Sequence, residues 1–303
     1  MNYPVYKLRH WIDEEYLSFF ELSYNPNAIE YLKQYPLNIS YFWLPCNPNA
    51  IELLELVIDK EEFYNRINWD YLSGNPNAIS LLSKNKDKIY YSELSANPSG
   101  IDLLLENPEN ICWDNLCLNT NPRAIELLKE NVEKINWNCL SQNSKAIELL
   151  LANQEKINWK YFSGNIHPSA IKLIEKNLNK IDWKILSGNP SAVHILEKNL
   201  EKIDWHYLSK NINAIELLEK NLEKIDWDYL SFNENAMKIL ENNQDCINWD
   251  NFSSNPSIFI LDYEQMRINN QQLEEELLQV VLHPTRIIRN MELYGYNVED
   301  MFD

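Results

Sequence analysis

The chain repeats itself, mostly at intervals of 22 or 24 residues. One copy reads Ile203-Asp204-Trp205-His206-Tyr207-Leu208-Ser209-Lys210-Asn211, followed by Asn213-Ala214-Ile215-Glu216-Leu217-Leu218. Aligned on the tryptophan, the copies fall at Trp69, Trp113, Trp137, Trp159, Trp183, Trp205, Trp227 and Trp249, with Tyr91 in the gap after Trp69. Two degenerate copies, with Phe19 and Tyr41 in the tryptophan place, bring the total to eleven. A fixed period of this length means stacked structural repeats, each of which buries its apolar face on its neighbours.

Within one unit the signals are helical. Asn189-Pro190-Ser191-Ala192 reads as a helix start, since Asn can accept from an orphan N–H and Pro at the first helical place loses nothing. Ala192, Val193, Ile195 and Leu196 then give a broad apolar stripe on a helix of about ten residues. Asn closes that helix in most units, at Asn85, Asn107, Asn131, Asn153, Asn177, Asn199, Asn221 and Asn243, which predicts a left-handed C-terminal cap. Asp204 caps a second, shorter helix, α or 3-10, with Trp205 and Leu208 on one face. A glycine follows the closing serine in three units (Gly74, Gly164, Gly188).

Two columns hold one kind of shape along the chain. Ile39, Ile67, Ile89, Ile111, Ile135, Ile157, Ile181, Ile203, Ile225 and Ile247 make the first. The second runs through Leu44, Leu72, Leu94, Leu116, Leu140, Phe162, Leu186, Leu208, Leu230 and Phe252. With the tryptophans, these predict a continuous core. A leucine-rich repeat is the rival, because Leu200, Ile203 and Trp205 have its spacing, but its asparagine place holds Leu208 and a helix-cap Asp replaces strand alternation. The prediction is therefore an all-α solenoid of about eleven two-helix repeats, one α-helix and one short α or 3-10 helix each. Residues 1–16 would form an N-terminal cap, 17–262 the solenoid and 263–303 a C-terminal helical cap. At 8–10 Å per packed helix, the array would be on the order of 100 Å long before curvature.

Three departures interrupt the period. Two-residue insertions precede Pro122 and Pro168, and a longer one lies around Val57–Arg66. After Asn255-Pro256-Ser257 the pattern changes to Ile258-Phe259-Ile260-Leu261. An amphipathic helix carrying Leu273, Leu277, Leu278, Val281 and Leu282 is expected next, and His283-Pro284 would start another that Gly295 closes.

The unit NPxAIxLLxxNxxxIxWxxLSxN, the exit NPSIFxxDYxxM (Asn255 to Met266) and the closing EELxxxxxHPxRIxR (Glu275 to Arg289) resemble a repeat family of giant DNA viruses of the mimivirus and algal-virus kind. The resemblance covers roughly residues 17 to 303, although the first two units lack the tryptophan. It implies a virus-encoded helical repeat protein in the host-cell cytoplasm or the virion, and carries almost no mechanism with it.

No set of residues points to catalysis. The five histidines, His10, His167, His194, His206 and His283, form no HExxH and no metal spacing with cysteine or carboxylate. The five cysteines include no CxxC, and five glycines supply neither a phosphate loop nor GxGxxG. Paired carboxylates such as Glu126 and Glu130 lie on a repeated polar helix face and read as solvated. Neither a catalytic set, a metal site nor a cofactor is therefore expected. A net charge of −18 argues against direct nucleic-acid binding and against anionic membranes. No apolar run suits a membrane helix and no signal peptide is evident.

Two polar columns remain. Lys88, Lys134, Lys156, Lys180, Lys202 and Lys224 precede the isoleucine. Four of them adjoin Glu133, Glu155, Glu201 and Glu223, so local neutralisation explains the column better than a phosphate-tracking stripe. Two places after the tryptophan stand Tyr71, Tyr161, Tyr207 and Tyr229, where other units have Glu93, Asn115, Cys139, Ile185 and Asn251. Such variety suits a half-exposed recognition surface, and tyrosine is favoured at binding hot spots; a ridge of amphipathic packing residues is the competing explanation. The expected function is a non-enzymatic scaffold that binds a protein partner through those tyrosines. An acidic decoy of a basic nucleic-acid-binding surface, or a structural virion component, are the alternatives.

Overall fold

In the computed structural model, which describes residues 4–283, 285–287 and 289, the protein is mostly helical. Its residues separate into two compact units, one of residues 10–258 and one of residues 1–9 with 259–303.

In the larger unit, each repeat contributes a short tryptophan helix and, in ten of the eleven, a short leucine helix. Trp205–Ser209 and Ile215–Glu219 are one such pair, followed by the 3-10 helix Leu222–Lys224. Asp204 caps the tryptophan helix as expected, its Oδ1 accepting from the Tyr207 N–H at 3.1 Å. The leucine helix is shorter than predicted, because Asn-Pro-x-Ala forms a turn ahead of it: Ala192 N–H donates to the Asn189 carbonyl and the helix opens only at Val193. Proline begins a longer helix only where two residues are inserted, in Pro122–Glu130 and Pro168–Glu175. The extra residues there provide Asn121 and His167 as caps that accept from the N–H two residues on.

The closing asparagines are not left-handed. Asn199 and Asn221 both have φ −140°, and Asn153 has −133°. Each instead folds its side chain back, and Nδ2 donates to the carbonyl four residues earlier, as Asn221 does to Leu217 at 2.8 Å. That bond satisfies a carbonyl the ending helix would otherwise leave open, so no positive φ is needed.

The core consists of the leucine columns of both helices, which are fully buried from Leu22 to Phe252, with isoleucines such as Ile67, Ile135 and Ile225 just beneath the surface. The tryptophans do not belong to it. Except for Trp69 they are half-buried, and a lysine of the following repeat lies over the ring: Lys134 over Trp113 at 4.2 Å, Lys156 over Trp137 at 4.8 Å, Lys224 over Trp205 at 4.7 Å. The lysine column thus serves cation–π contacts.

Between repeats runs a ladder that sequence inspection missed. Asn211 Nδ2 donates to the carbonyls of Ser187 and Asn189 in the preceding repeat, at 2.9 and 3.0 Å. Its Oδ1 accepts from the Asn213 N–H. The same arrangement recurs at Asn47, Asn75, Asn97, Asn119, Asn143, Asn165, Asn189 and Asn233. These side chains are buried and would cost several kcal/mol if unpaired, roughly 1–3 kcal/mol per group. Beside the ladder, Ser209 Oγ donates to the Trp205 carbonyl and accepts from the Asp226 N–H of the next repeat.

The ladder does not stop at the first repeat. Asn25 Nδ2 donates to the carbonyls of Ser253 and Asn255, both at 2.9 Å, and Ser18 N–H donates to Ser253 Oγ at 2.9 Å. Asn27 reaches the Pro256 carbonyl, as Asn213 reaches that of Pro190. Trp11 packs on Phe252 and Tyr16 stacks on Trp249. The first repeat therefore follows the last by the bonds that join any repeat to its predecessor. An extended solenoid with a cap at each end is the expected arrangement; instead the last repeat itself covers the first.

In the smaller unit, strand β1 (Tyr6–Leu8) pairs antiparallel with β2 (Phe259–Leu261), a pairing no sequence signal announced. Asp262 caps the long helix Tyr263–Val281 and pairs with Lys7 at 3.2 Å. Leu277, Leu278 and Leu282 are exposed. The helix expected from His283 to Gly295 lies largely outside the described residues. No helix among those described is long and apolar enough to cross a membrane.

Candidate functional site: the outer face of the tryptophan helices

Each tryptophan helix buries its leucine and serine and half-buries its tryptophan, so the residues one, two and five places after the tryptophan share the opposite face. These are the variable places. Along the repeats they change character by sector. Phe20, Tyr24, Phe42, Trp43 and Tyr71 make an aromatic cluster, in which Trp43 stacks on Tyr71 with centroids 5.1 Å apart and meets Phe20 edge-on at 5.4 Å. Asp70, Glu93 and Asp114 follow, then the neutral Asn138, Cys139 and Gln142. Lys160, Lys184, His206 and Lys210 come next, and Asp228 and Asp250 return the face to acid.

The four predicted tyrosines all lie on this face, Tyr161 exposed and the other three half-buried. They do not form one ridge. Tyr71 belongs to the aromatic cluster. Tyr207 and Tyr229 come together around Lys210, whose Nζ is 4.5 Å from one ring centroid and 5.6 Å from the other. Lys184 covers the Tyr207 ring as well, at 5.0 Å. His206 lies 3.8 Å from the Tyr229 ring, and its Nδ1 is 2.5 Å from Asp226 Oδ2. Tyr161 stands apart with Lys160 at 5.9 Å, separated from Tyr207 by the repeat that carries Ile185. A Cβ at Gly188 would meet Lys210 Cε at 3.5 Å and Tyr207 Cδ1 at 3.6 Å, ordinary contact distances, so the packing here does not require glycine.

Sequence inspection missed Lys160, Lys184, His206 and Lys210 as parts of this surface. Their signal was available, since they occupy the same face of the tryptophan helices as the tyrosines, one or five places after the tryptophan.

Thiols near this face are held protonated. Burial pushes Cys46 up to about 11, and burial does the same to Cys117. Cys139 is also raised by burial. Tyr24 is pushed up to about 12, first by burial and then by its hydrogen bond to Glu21. Among the described residues, no three His, Cys, Asp or Glu side chains converge as metal ligands would. His283 belongs to the smaller unit, where it lines a surface depression together with Arg286 and Arg289. No protein-family model, curated protein or solved structure matches this chain.

Proposed function

We propose that the protein is a non-catalytic interaction scaffold: a closed array of eleven helical repeats that binds a protein partner through the variable face of its tryptophan helices. One observation carries this reading. The asparagine ladder, the serine bonds and the leucine core are the same in repeat after repeat, while the exposed places of one helix face change. A preformed frame with a variable surface is what repeat proteins use for recognition. The tryptophan helices pack directly on one another, as Trp205–Ser209 does on Trp227–Ser231, so their variable faces adjoin from repeat to repeat.

The resemblance to repeat proteins of giant DNA viruses supports a place for the scaffold in an infected cell or a virus particle. Affinity purification of the tagged protein from infected cells, beside a variant with Tyr161, Tyr207 and Tyr229 changed to Ala, tests the proposal. A stoichiometric protein partner lost in the variant is the expected result. Turnover of a substrate that disappears on a single polar substitution would contradict it.

A further inference from the structure

We infer that the sector of this face built by Lys160, Lys184 and Lys210 docks an extended acidic peptide segment of the partner; the inference rests on the scaffold reading above. The charge distribution is the first argument. The chain carries a net −18, and the exposed places of this face are acidic at Asp228 and Asp250 on one side and, beyond the neutral Asn138 repeat, at Asp114 on the other. Across three consecutive repeats those places hold only cations and uncharged residues. None of the three lysines has a carboxylate within ion-pair distance among the described residues; their ammonium groups lie over tyrosine rings. The carboxylates nearest in the chain, Asp182, Asp204 and Asp226, are helix caps. Each gives Oδ1 to a backbone N–H, and Asp226 gives its other oxygen to His206. Cap carboxylates held by backbone donors have less to offer the lysines, which stay available to an outside acid.

Spacing is the second argument. There is one lysine per repeat, and packed helices lie about 8–10 Å apart. A segment in the polyproline-II conformation advances about 3.1 Å per residue with three residues per turn, so residues three apart lie on one face and are separated by a similar distance. A segment with a carboxylate at every third residue can meet all three lysines. Tyr161, Ile185 and Tyr207 stand between them and offer apolar and ring surface to the intervening residues. A nucleic acid fits less well, because its continuous charge would run onto Asp228 and Asp250 at one end and, past the neutral repeat, onto Asp114 at the other.

The test uses a fluorescein-labelled nonapeptide with Glu at every third position and Ser elsewhere, its Gln counterpart, and a labelled single-stranded oligonucleotide, titrated with the full chain by anisotropy. The Glu peptide should bind and weaken as salt rises, and the Gln peptide should not bind. Lys184→Glu with Lys210→Glu should weaken Glu-peptide binding at least about tenfold. Lys129→Glu with Lys172→Glu, on the leucine helices, should leave it unchanged, and circular dichroism confirms that each variant is folded. Equal binding of both peptides, tighter binding of the oligonucleotide, or indifference to the Lys184 and Lys210 reversals would overturn the inference. A partner captured through the tyrosines but unaffected by those reversals would overturn it while leaving the scaffold reading in place.

Discussion

Asn211 makes three hydrogen bonds from a buried side chain, two of them across a repeat boundary. Changing it to Ala takes a donor from the Ser187 and Asn189 carbonyls, the second of which keeps the Ala192 N–H, and an acceptor from the Asn213 N–H. At about 1 kcal/mol per net bond, and more for groups left unsatisfied, the loss should be about 2–4 kcal/mol in urea denaturation. Asn213→Ala, which removes one exposed bond to the Pro190 carbonyl, should cost under about 1 kcal/mol. Similar losses for the two would mean that the buried ladder does not carry the repeat boundary. The column was visible in the sequence, yet it read as a helix cap. A cap and a ladder both call for asparagine before proline, and only the neighbouring repeat decides where Nδ2 points. Thiol chemistry gives a second check at this scale. With Cys117 raised to about 11 by burial, its reactive thiolate is scarce at neutral pH. Alkylation of Cys117 should lag far behind that of the exposed Cys246, and gain as pH rises toward 11. Equal rates at pH 7.5 would contradict the burial.

At the scale of one helix, the short tryptophan segment is held by a cap at its start and a leucine in its middle. Asp204→Ala should cost about 1 kcal/mol, and Leu208→Ala, at a fully buried site, about 2–5 kcal/mol. Lys224→Met removes the ammonium over Trp205 and should cost about 0.5–1 kcal/mol. If Lys224→Met proved as costly as Leu208→Ala in thermal unfolding, the tryptophans would have to be counted as core after all. The caps, the leucine column and the isoleucine column were all legible, because each depends on residues within one unit. Helix length was not. Whether proline opens a helix, as in Pro122–Glu130, or sits in a turn, as in Asn189-Pro190-Ser191-Ala192, depends on whether the preceding asparagine is committed to the ladder. The two inserted residues separate those tasks, giving one to Asn119 and the other to Asn121.

Closure belongs to the larger unit as a whole. It arises from a small rotation per repeat, summed over eleven, and no single repeat encodes it, so the sequence alone suggested an extended solenoid with a cap at each end. The candidate surface was legible in part for a similar reason. The tyrosine column is a one-dimensional signal, whereas the lysines that join it come from other places on the same face and gather only when repeats stack. Because Asn25 makes the seam bonds that Asn211 makes internally, Asn25→Ala should destabilise the unit by a comparable amount, about 2–4 kcal/mol in urea. The most direct test of closure is energy transfer between dyes at Lys33, in the first leucine helix, and Glu241, in the last, placed on cysteines in an otherwise cysteine-free chain. Two helix spacings across the seam put the labelled sites about 20 Å apart, and high transfer efficiency is the predicted result. An open array would hold them many helix spacings apart, so efficiency near zero in the folded protein would contradict the closed array.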